Sequence, residues 1–467
     1  MDDKVYKYVY RMLLFDIYNG SFCAQNKMPS IAQLSQKYNA GKNSVKLALQ
    51  ALEKDGYIEI KNGSNAKILF TFDDFQNNTK YIQTLVNSKA MIQEIFKTMK
   101  LILPDIAIVC LENANEDQIH EWGDMIQNFE IEGIQSEGEL LRKLYEIYLY
   151  ILSFLGNPLL SELFFTLLNS VYSPLQNGEE QYKEMKKAIK IIKYLLNFIY
   201  HCALRKNYRI LKNVIAFMCN AFCDTSIKYI DTLRGDINES EKTQFLWVRD
   251  RTHKYLYVQV ITDIIRKIEL KEYKIGSFLP SIAKLCEEYE VSEKTVRKAL
   301  AILSALKAIE TVNGKGSIVK IEKYQLRRES IFDESIEVGL QDFYYGLQLF
   351  NLILPSIGIH QLKNVSRIER KVISKKERNV FIESLYDEVL KSDNACLCNI
   401  YSSLLMNHGF MIFVDLEFED YQYKIEMMYD RIKTEFQAEE DNKVLVSLIE
   451  LNSLVLEVLE KNYIYKR

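Results

Sequence analysis

Two short runs hold the side chains best suited to chemistry, Lys42-Asn43-Ser44-Val45-Lys46 and Glu293-Lys294-Thr295-Val296-Arg297. Asparagine pairs with adenine edges, lysine and arginine pair with guanine, and glutamate accepts from cytosine. Hydroxyls donate to phosphate oxygens, so Ser30, Ser44, Ser281 and Thr295 belong to the same set, as does Ser292. Lys61, Asn62 and Lys67, and likewise Asn313 and Lys315, offer further donors to phosphate or to a minor groove. This is the chemistry of non-covalent nucleic-acid recognition. The chain has no glycine-rich phosphate loop, no Ser-His-Asp set and no convergent carboxylate pair. It is therefore expected not to be an enzyme and to need no cofactor.

The two runs stand 251 positions apart because a whole segment is repeated. Met28-Pro29-Ser30-Ile31-Ala32-Gln33-Leu34 returns as Leu279-Pro280-Ser281-Ile282-Ala283-Lys284-Leu285. Tyr38 and Tyr289, Val45 and Val296, Ile58-Glu59 and Ile309-Glu310, and Asn62-Gly63 and Asn313-Gly314 keep the register. A period this long marks a duplicated domain rather than a solenoid.

Each copy must position its reader with the same elements. Val5, Val9, Leu13 and Ile17, and in copy two Leu256, Val260, Ile264 and Ile268, form one face of a first helix. Ser30 and Ser281 are N-cap candidates for a second helix, with Gln33 completing a capping box and Lys284 breaking it. A third helix is expected over 42–54 and 293–306, capped weakly by Gly41 and well by Ser292. Alternating residues around Asn62-Gly63 and Asn313-Gly314 predict a β-hairpin. Three helices and a hairpin make a winged helix-turn-helix, whose third helix enters the major groove.

The fold class is therefore mainly α, with two winged helices each followed by an all-helical domain. The boundaries expected are 1–72, 73–245, 246–322 and 323–467. Helices are expected over 80–103, 139–171, 182–205 and 207–232, and over 336–354, 378–392, 396–412, 420–437 and 442–460. Leu103-Pro104 and Leu354-Pro355 extend the duplication into these parts, after which the alignment slips.

Net charge is −3. The basic residues concentrate in the two copies, about +4 over 1–70 and about +5 over 251–321, as a nucleic-acid footprint requires. No uncharged apolar run reaches the roughly 18 residues of a membrane span, and the amino terminus lacks the pattern of a signal peptide. A cytoplasmic protein without a membrane partner is expected. Eight cysteines without a scaffold spacing read as buried thiols in a reducing compartment.

With Leu279-Pro280-Ser281, Val291-Ser292, Thr295-Val296-Arg297, Ala299-Leu300 and Gly314-Lys315-Gly316 in this order, the segment resembles the GntR family of bacterial transcription regulators. Copy one is more degenerate, with Ala40-Gly41, Ser44-Val45-Lys46 and Gly63-Ser64-Asn65. Ala32 and Ala283 stand where many members carry a DNA-contacting arginine. Leu155-Gly156-Asn157-Pro158 resembles, more faintly, an all-helical effector domain of one branch. Its metal-binding Asp and His positions fall on Leu144 and Tyr148, so no metal is expected. Cys219 with Cys223, and Cys396 with Cys398, read as core thiols.

The resemblance implies double-stranded DNA as partner, on two half-sites, with a small-molecule effector as a further partner. Dense aromatics such as Tyr145, Tyr148, Tyr150, Phe154, Phe164 and Phe165 read as core or as the lining of an apolar pocket. Both readers in one chain imply a pseudo-dimer, monomeric or paired further as a homodimer, with its helical domains against each other. The competing reading is a protein-interaction adaptor whose winged helices no longer read DNA.

Overall fold

The computed structural model describes residues 28–69 apart from 39 and 62–64, 79–129, 137–171, 179–236 and 243–247. It also describes 256–320 apart from 270, 334–405 apart from 375, 377 and 392, 419–461, and single residues between 6 and 17. The chain divides into two units, residues 1–250 with 394–399, and residues 251–393 with 400–467.

In unit 1 the described residues between 9 and 17 are helical, and Val9, Leu13 and Ile17 are buried. Helices α1 (Ile31–Lys37) and α2 (Lys42–Lys54) follow, then the short strands β1 (Ile58–Glu59) and β2 (Lys67–Ile68), paired antiparallel. The Ser30 hydroxyl accepts from the Gln33 amide and the Gln33 side chain returns to the Ser30 amide, so the capping box forms. Gly41 opens α2 without a side-chain cap. Further helices described in this unit are α3 (Thr79–Asn113), α4 (Glu116–Gln127), α5 (Glu137–Ser153), α6 (Pro158–Val171), α7 (Glu179–Leu204) and α8 (Tyr208–Thr232).

Unit 2 repeats the plan. Helices α9 (Leu256–Glu269), α10 (Ile282–Tyr289) and α11 (Glu293–Ala305) precede β3 (Ile309–Val312) and β4 (Gly316–Val319). Ser281 caps α10 without a box, and Ser292 caps α11. The wing closes through a three-residue loop, Asn313 to Lys315, because Val312 pairs with Gly316. Gly314 sits at φ +73 and Gly316 at φ +115, conformations that favour glycine. The wing is also wider than the predicted hairpin. Phe278 bridges to Ile318, and the Leu279 amide donates to the Ser317 carbonyl. Then come α12 (Glu334–Lys363), α13 (Arg367–Ile373), α14 (Arg378–Leu390), α15 (Ala395–Leu405, whose first residues belong to unit 1), α16 (Glu419–Gln437) and α17 (Asp441–Leu459).

Pro104 and Pro355 lie inside α3 and α12, where the sequence suggested helix ends. Proline removes one backbone donor. In α3 that loss is outweighed by apolar residues buried on both sides, Ile102 and Leu103 before it and Ile106, Ala107 and Cys110 after it. The duplicated register also persists past the prolines. Asn115 and Ser366, again 251 apart, each open the next helix with a full capping box.

Between α5 and α6, Gly156 takes φ +66 and the Asn157 side chain accepts from the Leu159 amide. The aromatic residues pack on one another, Tyr145 stacked on Phe164 at 5.5 Å and Tyr148 against Phe164 at 4.5 Å. Trp122 packs edge-on against Tyr200 at 6.2 Å in the same unit. A Cβ on Gly123 would meet the Tyr200 ring at 2.4 Å. Gly123→Ala is thus expected to lower the thermal stability of unit 1 by about 1–3 kcal/mol, overpacking outweighing the gain in helix propensity. An unchanged melting profile would show that Tyr200 yields freely.

Among the described residues one helix, α8, is long and apolar enough by length and composition to cross a membrane, although only 17% of its apolar window is buried. No group of three or more His, Cys, Asp or Glu that could hold a metal occurs among them. Cys110, Cys202, Cys223 and Cys396 are buried, and Cys219, Cys286 and Cys398 are partly exposed.

Candidate nucleic-acid interface

The third helix of each winged helix is amphipathic, and its inner face sets which side chains point out. Val45, Ala48, Leu49 and Leu52 are buried in α2, as are Val296, Ala299, Leu300 and Leu303 in α11. The opposite face exposes Lys42, Asn43 and Lys46 in copy one and Glu293, Lys294 and Arg297 in copy two. These six belong to one turn of their helices, where free amide groups and the positive end of the dipole also lie.

The hydroxyls behave differently. Ser44 is 5% exposed and faces the core of its module, so its side chain is not presented with Lys42 and Lys46. The spacing of Val45 and Ala48 around it is the signal that places it inside. Thr295 is half-buried, and its hydroxyl lies 2.8 Å from the Ser292 hydroxyl, which also accepts from the Thr295 amide. Ser30 and Ser281 are each engaged in capping. These serines therefore order the helix starts that would face phosphate.

Charge separates the two copies. In copy two the Arg297 guanidinium binds Glu293, with Nε at 2.7 Å and Nη2 at 2.5 Å from Oε1. This i,i+4 pair is exposed and contributes little to stability, but it cancels the cation at the centre of the candidate surface. In copy one the equivalent positions are Lys42 and Lys46, both exposed, with no ion pair to either among the described residues. Copy two keeps a good cap and an ion pair at its third helix, whereas copy one keeps more positive charge there without an ion pair among the described residues.

The wing residues are arranged less evenly. Lys67 is exposed on β2, in register with Glu59, while Lys61 lies 3.3 Å from Glu59. Asn62 lies outside the described residues. Asn313 and Lys315 are exposed at the tip of the second wing.

In each winged helix a polar group fastens the first helix to the second. In copy one, Asp16 accepts from Lys37 at 2.5 Å and from the Tyr38 hydroxyl, and it is 2% exposed. In copy two, Lys267 contacts Glu288 and lies 2.8 Å from Asp263, which also accepts from the Tyr289 hydroxyl at 2.7 Å. Burial opposes the charge on Lys267, but hydrogen bonds from its ammonium to Asp263, Glu288 and Tyr289 outweigh this and hold its pKa above the usual lysine value. Burial likewise opposes the Asp263 carboxylate, yet the bonds from Lys267 and Tyr289 keep its pKa below the usual one. Lys267 occupies the position of Asp16, and Glu288 that of Lys37, so the pair is reversed in sign between the copies.

The helical part of unit 1 places Tyr148 with its hydroxyl donating to the Leu103 carbonyl at 3.0 Å. Burial raises its pKa well above the usual value.

Residues 5–68 and 256–319 each match the sequence model of the bacterial regulatory proteins of the gntR family. The mannosyl-D-glycerate transport/metabolism system repressor MngR of Escherichia coli is 34% identical over 120 residues, covering 25% of this chain and 50% of that protein. The HTH-type transcriptional regulator TreR of Bacillus subtilis is 38% identical over 63 residues, 14% of this chain and 26% of its own length. A solved structure of Streptococcus agalactiae GntR aligns over 47% of this chain and 99% of its own, at a TM-score of 0.22 and 16% identity. The chain spans half or less of the length of these two curated relatives.

Proposed function

We propose that this chain, which carries two domains of the GntR family and is a transcription regulator of that kind, reads an imperfectly palindromic DNA operator as a fused pseudo-dimer. The observation that supports this most is the pair of exposed, unlike reading surfaces, Lys42, Asn43 and Lys46 against Glu293, Lys294 and Arg297. A homodimer reads two equal half-sites. Two different readers in one polypeptide read two unequal ones, and the tether raises the effective concentration of the second once the first is bound.

Selection of sites from a random duplex pool, repeated with single variants, tests the proposal. Lys46→Ala is expected to weaken one half-site and Arg297→Ala the other. The lysine carries the larger salt-dependent loss, because Arg297 is already paired with Glu293. If both variants weaken the same bases, the pseudo-dimer reading fails. If no duplex is enriched at low salt, the protein-interaction reading takes its place.

Control by a small apolar or metabolite effector is the second part of the proposal. It is supported by Tyr145, whose buried hydroxyl has no hydrogen-bond partner among the described residues beside Phe164 and Phe165. An effector would act by favouring one spacing of the two readers.

A further inference from the structure

The corner between α7 and α8 in unit 1 is repeated between α16 and α17 in unit 2. Lys206 and Glu439 both adopt positive φ, at 54° and 61°. Asn207 and Glu440 are the N-caps that follow, and their amides donate to the carbonyls of Cys202 and Glu435, five residues back in each case. The two hairpins can therefore be compared residue by residue, and their outer faces differ in charge and at most of the apolar positions.

On unit 1 this face exposes large apolar side chains, with Tyr194 71%, Phe217 64% and Ile191 61% exposed, and Phe198 and Ile210 beside them in the helical repeat. On unit 2 the positions of Ile191, Phe198, Ile210 and Phe217 hold Lys424, Arg431, Lys443 and Glu450, while that of Tyr194 holds Met427, which is also exposed. Arg431 there binds Glu450 at 2.8 Å, joining α16 to α17. The fold thus accepts charged residues at four of these five positions, and the more apolar face on unit 1 calls for a separate explanation.

Charge adds to the contrast. From Met185 to Cys223 the chain carries eight lysines and arginines and no aspartate or glutamate, whereas the matching stretch of unit 2, Phe418 to Leu456, carries four basic and nine acidic residues. Lys190, Arg205 and Arg209 are exposed among the apolar side chains. A second copy docking face to face would bring these cations together, so the surface suits an anionic partner with an apolar interior. On the other side of α8, Lys212 pairs with Asp105, and Asp224 with Lys100 at 2.6 Å, which fastens α8 to α3. That anchoring fits a helix lying on a bilayer and not one passing through it.

We propose that the outer face of α7 and α8 in unit 1 docks onto an anionic lipid bilayer, with Tyr194, Phe198 and Phe217 entering the interface and the basic residues meeting the headgroups. A surface of this kind needs no membrane-spanning run in the sequence.

The test is co-sedimentation of the full-length protein with vesicles of phosphatidylcholine alone or mixed with phosphatidylglycerol, at low and physiological salt. Partition into the anionic vesicles alone, weakening with salt, is expected. Lys190→Gln/Arg205→Gln/Arg209→Gln is expected to reduce the partition coefficient roughly a hundredfold, at about 1 kcal/mol per surface cation. Tyr194→Gln/Phe198→Gln/Phe217→Gln is expected to reduce it at least about tenfold. Lys42→Ala/Lys46→Ala should leave it unchanged, which separates this face from the candidate DNA surface. The proposal is overturned by no partition at low salt, or by partition indifferent to the charge variant or to a folded apolar variant. Lipid-free self-association that the apolar variant abolishes would also overturn it, by identifying a second copy as the occupant.

Discussion

Arg370→Ile lowers the stability of unit 2 by about 3–5 kcal/mol, the cost of removing one partner from a buried charge pair. Arg370 is 4% exposed, in the short helix α13. Its Nη2 donates to the Leu362 carbonyl at 2.6 Å and its Nη1 to the Phe436 carbonyl at 3.2 Å, in the last turns of α12 and α16. Its Nε donates to the Val365 carbonyl at 3.1 Å. The final carbonyls of a helix have no partner within it, and a cation there also meets the negative end of the dipole. One guanidinium thus satisfies two helix ends, lies over the Phe436 ring at 4.7 Å, and binds Asp441 at 2.8 Å in the first turn of α17.

Unit 1 has Ile119 at the matching position, buried, and Tyr208 at the place of Asp441. An apolar side chain therefore fits the fold, provided the carboxylate is absent as well. Asp441→Asn added to Arg370→Ile is expected to cost less than the sum of the two single changes, with about 1–3 kcal/mol of coupling. Urea titration followed by hydrogen exchange in α16 and α17 gives both numbers. Strict additivity would mean that the lost helix-end bonds, and not the charge pair, set the cost.

Much of the winged helices was legible because their signals are local. The Ser30 and Gln33 box, the bare Gly41 cap and the Ser292 cap all form, and the third helices start at Lys42 and Glu293 as expected. The helices Glu116–Gln127 and Arg367–Ile373 were missed, although Asn115 with Gln118 and Ser366 with Glu369 carried the capping spacing at the duplicated offset. They are short, and the prolines before them suggested helix ends. Beyond them the offset falls from 251 to the 233 that relates Asn207 to Glu440. A chain shortened between two anchors loses its alignment while keeping its corners. At the candidate site, the i,i+4 spacing of Glu293 and Arg297 admits an ion pair as well as two base contacts, and the structure forms the pair. The burial of Ser44 follows from the apolar repeat around it. The outer face of α7 and α8 was not legible, since tyrosine, phenylalanine and isoleucine at helical spacing read as core until the opposite side of the helix is seen to be the buried one.

Asp16→Lys destabilises the first winged helix by about 3 kcal/mol or more, and adding Lys37→Glu restores most of the loss. The carboxylate of Asp16 is almost fully enclosed, and Lys37 and Tyr38 both donate to it. A cation there faces Lys37 and sits without a counter-charge in a desolvated place. With Lys37→Glu the pair has the polarity of Lys267 and Glu288 in unit 2, although Lys267 there also meets Asp263, whose place in copy one is taken by Met12. The restored variant carries a second consequence. Two copies of one domain in a single chain can exchange helices while folding, because the apolar faces of their first helices follow one pattern. In the natural chain a first helix from copy one placed on α10 would set Asp16 against Glu288, and α9 placed on α1 would set Lys267 against Lys37, with Asp263 of α9 as a partial counter-charge. Like charges at a closed contact disfavour the wrong pairing. In the double variant both copies have one polarity and that discrimination is lost. Refolding from urea is therefore expected to yield near-natural stability in the correctly paired fraction but a larger share of misassembled, oligomeric protein, resolved by size-exclusion chromatography. Equal yields from the natural chain and the double variant would mean that packing alone tells the copies apart, and that the reversed pair fastens each module without steering its assembly.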